Sequence, residues 1–247
     1  MAPPTTAASG APSRPTGSSA RRSPPTGRST ASAASRRPGR RLVQHDRALG
    51  HRFVAGADEA GRGCLAGPLV AGGVLLDLDR IGPREVRALG LLDDSKRLSE
   101  QTRQELLPVV MRIAVCSVSI VRSARTIDKD GLHVSNLASL RDALEAVAVP
   151  GAICLSDGFS VGAIDGCESR AIVKGDSTSA AIAAASIVAK VTRDRAMRRA
   201  AEIHPHWGFE EHVGYSTPAH REAIALHGVS PIHRMSFAST AYTQLKF

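Results

Sequence analysis

Past residue 50 the chain switches between two apolar rhythms. Short unbroken apolar runs bounded by glycine, at 53–57 and 69–76, predict two strands joined by a glycine turn. The pattern then lapses into a polar loop holding Asp93-Asp94-Ser95-Lys96. Ser99 offers an N-cap for a helix to about Arg112, and alternating small polar and apolar residues over 113–121 predict a strand. After a turn at 126–131, Leu137, Leu140, Leu144 and Val147 recur at helical spacing, predicting a helix over about 132–147. Pro150-Gly151 ends it, and 152–155 reads as a short buried strand delivering Ser156-Asp157-Gly158. An edge strand at 171–173 precedes a long helix, capped by Ser177 or Thr178 and running to about Glu202. Its stripe of Ala180, Ala184, Ile187, Val188 and Val191 should face the sheet, and the alanines permit close approach. The last fifty residues read as helix and loop. Strands alternating with helices predict an α/β fold with a mixed or parallel sheet covered by helices.

Composition narrows this picture. Aromatic residues make up only 3%, so the core must be built from Val, Ile, Leu and Ala, which favours α/β over an aromatic-rich barrel. Residues 1–50 are Ser, Thr, Ala, Pro, Gly and Arg with almost no large apolar side chains, and are expected to be disordered. This Arg- and Ser-rich, acid-poor stretch shares its composition with organellar transit peptides and with plain non-structural extensions. Two further regions are expected, a catalytic core over 51–202 and a helical region over 203–247. The net charge of +9 is concentrated in residues 1–52, with ten arginines against Asp46 alone, so it says little about what the folded part binds. Four cysteines without a C-x-x-C pair argue for reduced thiols in the cytoplasm. No apolar run is long enough for a membrane span.

Candidate chemistry collects at predicted element ends. Gly56-Ala57-Asp58-Glu59-Ala60-Gly61-Arg62-Gly63 places two carboxylates where a strand runs out into glycines; Asp157 follows another strand, and Asp176 opens the long helix. Taken singly, each has an ordinary explanation as a solvated turn or a helix-dipole partner. Together, at neighbouring strand ends roughly 4.8 Å apart, four hard oxygen donors suit a pair of Mg²⁺ or Mn²⁺ ions. Side chains alternate along a regular strand, so Asp58 and Glu59 can share a site only if the strand ends or bends there, as the glycines suggest. Gly61-Arg62-Gly63 could bring backbone amides close to a sugar or phosphate, and Ser95 with Lys96 could hold a flanking phosphate. The histidines clustered after residue 200 lack a zinc spacing. Lys190 and Asp194, four apart, predict an ion pair.

These segments resemble the ribonuclease HII (type 2 ribonuclease H) family. The similarity rests on Gly56-x-Asp58-Glu59-Ala60-Gly61-Arg62-Gly63-x-x-x-Gly67-Pro68, then Asp94-Ser95-Lys96, Asp157-Gly158 and Lys174-Gly175-Asp176. It continues through 184–194, Gly214-Tyr215-x-Thr217, His220 and His233-Arg234-x-Ser236-Phe237, spanning about 53–237. The resemblance implies a ribonuclease H-like fold with a five-stranded mixed sheet flanked by helices and a helical C-terminal region that helps hold substrate. It implies hydrolysis of the RNA strand of RNA–DNA hybrids and incision 5′ to single ribonucleotides in duplex DNA. Asp58, Glu59, Asp157 and Asp176 become the implied ligands of Mn²⁺ or Mg²⁺, and Gly61, Arg62, Gly63 and Tyr215 the ribonucleotide readers. Ser95 and Lys96 become the phosphate holders. A monomer is expected, with a weak sliding-clamp contact through Gln244-Leu245-Lys246-Phe247. The alternative is a nucleotide- or phosphate-binding protein of the same fold without nuclease activity.

Overall fold

A computed structural model describes residues 38–92, 98–238 and 242. Its centre is a five-stranded mixed sheet in the order β3-β2-β1-β4-β5. The strands are β1 (Phe53–Ala60), β2 (Leu69–Asp77), β3 (Cys116–Arg122), β4 (Ile153–Asp157) and β5 (Glu168–Ile172). β1, β2 and β3 form an antiparallel meander, whereas β4 and β5 join β1 in parallel. The helices are α1 (Pro38–Ala48), α2 (Pro83–Ala88), α3 (Glu100–Ile113), α4 (Ala124–Asp130), α5 (Leu132–Val147), α6 (Ala180–Ile203), α7 (Phe209–His212) and α8 (Pro218–His227).

The sheet separates two apolar layers. On one face Val54, Val74, Leu76, Ile153 and Leu155 pack with α6; on the other Ala55, Ala57, Ala71 and Leu75 pack with Leu140, Ala143 and Leu144 of α5. The α6 contact is unusually close because glycines on the strands meet alanines on the helix. A Cβ at Gly56 would fall 2.2 Å from the Ala181 carbonyl carbon, and one at Gly72 2.3 Å from the Ala185 oxygen. This sets the start of α6 directly against the middle of β1.

Several expectations shift. β1 does not end at 57 but continues as regular pairing through Asp58↔Gly72, Glu59↔Ala71 and Ala60↔Val70, because β2 supplies an unbroken partner. β3 starts later than expected, since α3 carries the chain in helical form to Ile113. The long helix is capped by Ser179, whose hydroxyl accepts from the Ile182 amide, while Gly175–Ser177 forms a separate 3₁₀ turn.

Disorder to residue 50 is wrong for 38–50. α1 buries Leu42 and Val43, and its Asp46 carboxylate accepts from the Ala181 amide at 3.0 Å, supporting the start of α6. Two large apolar side chains and one acid suffice here because they dock on an existing core. Arg40, Arg41, Arg47 and Arg52 therefore belong to the folded body, which is more basic than the sequence partition suggested. Among the described residues no helix is long and apolar enough to cross a membrane.

Candidate active site

Strand register decides which carboxylates meet. Asp58 follows Val54 and Gly56 at two-residue spacing on the α6 face of β1; Asp157 follows Ile153 and Leu155 on the same face of β4. Because Ala57 pairs with Ser156, the two aspartates leave adjacent parallel strands side by side. Asp58 is 2% exposed, accepts from the Glu59 amide at 2.7 Å and is hydrogen-bonded by Ser186 of α6. Burial above all, then the charges of Asp157 and Glu59, push its carboxyl well above the usual range.

Asp176 lies in the 3₁₀ turn before α6. Asp157 Oδ1 accepts from the Gly175 amide at 2.7 Å, tying that turn to the end of β4. Lys174, at the left-handed φ of 54°, reverses the chain out of β5 into the turn. Asp176 itself is buried, at 4% exposure. Glu59 is half-buried at the same end of β1, but regular alternation starts its side chain from the α5 face, opposite to Asp58.

Gly61 to Pro68 form the loop after β1, and two buried arginines fasten it. Arg193 of α6 donates to Pro68 O (2.9 Å), Ala66 O (3.2 Å) and Val213 O (2.9 Å); Arg234 donates to Gly67 O (2.9 Å) and Arg62 O (3.1 Å). Gly61 has a φ of 91°, and a Cβ there would fall 1.9 Å from Arg193 Nε, so both backbone and packing demand glycine. At Gly63 an added Cβ would meet nothing within 4 Å among the described residues. Packing leaves that position open. The Arg62 guanidinium lies 4.5 Å from the centroid of the Phe159 ring.

Tyr215 stands beside this loop, 39% exposed, with its hydroxyl hydrogen-bonded to Cys64 and Lys190 Nζ 5.4 Å from its ring centroid. Three histidines support it from behind. His233 Nδ1 accepts from the Ser230 amide, so its Nε2–H donates to His220 Nε2 at 3.1 Å. His220 Nδ1–H is then free to donate to the Tyr215 carbonyl at 2.8 Å. His212 stacks on His220 at 4.2 Å. Burial first holds both His220 and His233 down at about 4, so these two imidazoles are neutral.

Asp58 and Asp157 are thus side by side at one end of the sheet, and the turn that carries Asp176 is tied to Asp157. Glu59, Gly61, Arg62 and Gly63 lie on or just after the end of β1, with Tyr215 beside the loop that follows. Ser95, Lys96 and Gln244-Leu245-Lys246-Phe247 lie outside the described residues. Lys190 pairs with Asp194 at 2.7 Å, as the spacing predicts. Arg193 and Arg234 were not anticipated as the loop's anchors. A signal existed for the first: Ser186, Arg193 and Met197 continue the inward stripe of α6 at seven- and four-residue steps, placing a charge on a buried face.

Among the described residues no three His, Cys, Asp or Glu groups already converge on a point. The donor set still fits a hard divalent cation. Mg²⁺ is commonly held by one or two carboxylates, with water and phosphate oxygens completing its shell, and Asp58 with Asp157 supplies that minimum.

The family model for ribonuclease HII matches residues 55–240. The chain is 47% identical over 208 residues to ribonuclease HII of Rhizobium johnstonii, covering 84% of this chain and 87% of that one. It is 46% identical over 184 residues to ribonuclease HII of Mycobacterium tuberculosis, covering 74% and 67%. The fold resembles the crystal structure of ribonuclease H2 from Pyrococcus horikoshii, with TM-score 0.63 and 26% identity over 75% of this chain and 94% of that one. Ribonuclease HII of Archaeoglobus fulgidus, solved in complex with PCNA, gives TM-score 0.63 and 29% identity over 74% and 94%. With the five-stranded sheet and a match over most of its length, the chain belongs to the ribonuclease HII family and is a ribonuclease H enzyme.

Proposed function

We propose that this enzyme hydrolyses the RNA strand of RNA–DNA hybrids and incises 5′ to single ribonucleotides in duplex DNA. The observation that carries the reading is the placement of Asp58 and Asp157 on one sheet face of adjacent parallel strands, with the Asp176 turn hydrogen-bonded to Asp157. Asp58, Glu59, Asp157 and Asp176 would hold two Mn²⁺ or Mg²⁺ ions. When bound, such ions supply Lewis acidity that makes water a competent nucleophile near neutral pH and stabilises the leaving oxygen. Glu59, starting from the other sheet face, would reach the shared site around the C-terminal end of β1.

The protein's own groups do the positioning. Gly63, with no neighbour where a Cβ would stand, lets a sugar approach the backbone, and Gly61 aims the loop through its left-handed φ. A backbone amide or carbonyl there can pair with a 2′-hydroxyl, the group that distinguishes RNA from DNA at a given nucleotide. Arg62, braced on Phe159, would meet a phosphate, and the half-exposed Tyr215 ring would pack on the ribose. Ser95 and Lys96 would hold a flanking phosphate. The enzyme would work as a cytoplasmic monomer, consistent with four free cysteines. Its C-terminal Gln244-Leu245-Lys246-Phe247 would touch a sliding clamp, a reading supported by the relative solved with PCNA.

The test is Asp58→Asn and Asp157→Asn on a duplex carrying one ribonucleotide, with gel analysis of the ends. Loss of cleavage 5′ to the ribonucleotide by both variants is expected. Full turnover by both would defeat the metal-site assignment. Wild-type cleavage of continuous hybrid only would defeat the single-ribonucleotide assignment.

A further inference from the structure

The opposite end of the sheet carries a second concentration of charge, of the other sign. Asp77, the last residue of β2, pairs with Phe53, five residues before Asp58 along β1. That separation is about 17 Å along the sheet. Here α2 lies between two cavities. One, of about 320 Å³, is lined by Arg80, Arg84 and Arg112; the other, of about 410 Å³, by Arg40, Arg47 and Arg87. All six arginines are exposed.

Their charge is not spent within the fold. Arg47 donates to the Ile81 carbonyl, which pins α1 to the turn after β2; among the described residues the other five make no ion pair or hydrogen bond. The nearby acids are already engaged: Asp77 and Asp79 by Arg52, Glu85 by the Gly82 amide that it caps. Arginine's planar fork matches phosphate oxygens, and its guanidinium stays charged at any working pH. The residues lining both cavities include no aromatic, so nothing here can stack on an unpaired base. The chain also enters this face at Pro38 from a stretch holding six arginines and no acid.

We propose that this arginine face is a second nucleic-acid contact, binding the sugar–phosphate backbone of duplex DNA independently of sequence and apart from the catalytic end. It would hold the enzyme on long DNA while the carboxylate end samples for ribonucleotides. Backbone contacts of this kind release counterions, so the salt dependence of binding counts them. The contact does not depend on the catalytic reading, because it is read on DNA containing no ribonucleotide.

The experiment compares the full chain with the triple variant Arg80→Gln, Arg84→Gln, Arg87→Gln. Two quantities are measured: affinity for a long ribonucleotide-free duplex across a salt series, and kcat/KM on a duplex of one helical turn with a central ribonucleotide. The expected result is weaker long-duplex binding, with a log–log salt slope shallower by up to about 2.7, or 0.9 per lost contact. Cleavage of the short duplex should be unchanged. An unchanged slope would assign DNA binding to the N-terminal arginines or the catalytic end and overturn the proposal. Displacement of the duplex by inorganic triphosphate at equal phosphate concentration would make the cavities a small-anion site and overturn it equally. Circular dichroism melting of the variant checks the fold; these exposed side chains should leave it intact.

Discussion

Two polar clusters lie within the same small protein and are built on opposite rules. At the ends of β1 and β4, Asp58 and Asp157 lie side by side with Glu59 nearby, and burial first, then like charge, pushes the Asp58 carboxyl upward. Behind Tyr215, three imidazoles touch in a comparably buried space, yet each proton has one donor and one acceptor. The histidine cluster has satisfied itself, and His220 and His233 remain neutral. The carboxylate cluster remains frustrated until something positive arrives. A site that awaits a ligand can be told from a polar core by this difference.

The largest effect should come from breaking the frustrated side. Asp58→Asn removes one of the crowded charges while preserving the shape of the side chain. Cleavage is expected to fall by on the order of a thousandfold or more, about 4 kcal/mol of barrier. The metal-free protein should meanwhile melt at a higher temperature, because a buried charge and its repulsion are gone. Activity assays and calorimetry in chelating buffer measure the two. A variant that loses both activity and stability would show Asp58 to be structural, and the contrast between the clusters would fail.

Next come the arginines that join the two clusters. Arg193→Met removes three donors from the carbonyls of Ala66, Pro68 and Val213, and with them the hold on the Gly61–Pro68 loop. A loss of roughly 3 kcal/mol or more is expected in urea denaturation, since buried carbonyls are left unpaired. Arg234→Met should behave similarly but less severely, because burial already depresses that guanidinium to about 10 and it makes only two such bonds. In both variants KM for hybrid should rise more than kcat falls if the loop serves to receive the sugar.

How much of this was legible follows the same division. The carboxylate end could be read because strand alternation and glycine leave marks in a linear sequence. The two apolar faces and the close α6 contact fell where those patterns put them, and Asp58 and Asp157 lie at adjacent strand ends; Asp176 lies in a 3₁₀ turn before the long helix rather than at its start. Glu59 did not fall as expected, because the glycines at 61 and 63 suggested a break in β1, whereas β2 keeps it paired through Ala60. α1 was missed because its overall polarity hides its amphipathic spacing: only Leu42 and Val43 are large and apolar in an arginine-rich stretch, so it resembles a solvated extension. The histidine wiring could not be foreseen either. It joins Ser230, His233, His220 and Tyr215 through contacts set by chain folding, and histidine spacing along the sequence carries none of that.

Acid should damage the self-satisfied cluster. His220 and His233 ionise at about 4 in the folded protein and near 6.5 when unfolded. A lowered histidine pKa means that the unfolded chain binds protons first, so stability is full above 6.5 and is lost as pH falls towards 4. His233→Asn keeps an acceptor for the Ser230 amide but cannot be protonated. Its melting temperature should be lower than wild type at pH 7 yet decline less steeply between pH 6.5 and 4.5. An equal decline would place the acid sensitivity elsewhere.

The smallest effect probes a polar group that fits neither rule. Asn136, on the first turns of α5, is fully buried, and among the described residues neither its Oδ1 nor its Nδ2 has a hydrogen-bond partner. The neighbouring Ser135 hydroxyl is likewise unpartnered, although the Ser139 hydroxyl donates to the Ser135 carbonyl at 2.7 Å. A buried amide that pairs with nothing carries its desolvation cost uncompensated. Asn136→Leu, close in volume and apolar, should therefore stabilise the protein by about 1 kcal/mol in urea denaturation. The helix is tightly packed against β2, where a Cβ at Gly73 would sit 2.5 Å from the Ala143 oxygen, so overpacking could only act against this gain. Stabilisation with unchanged cleavage would place Asn136 with the polar core. Stabilisation with impaired cleavage would place it with the carboxylates, as a group kept unpaired for a ligand on the Glu59 face of the sheet.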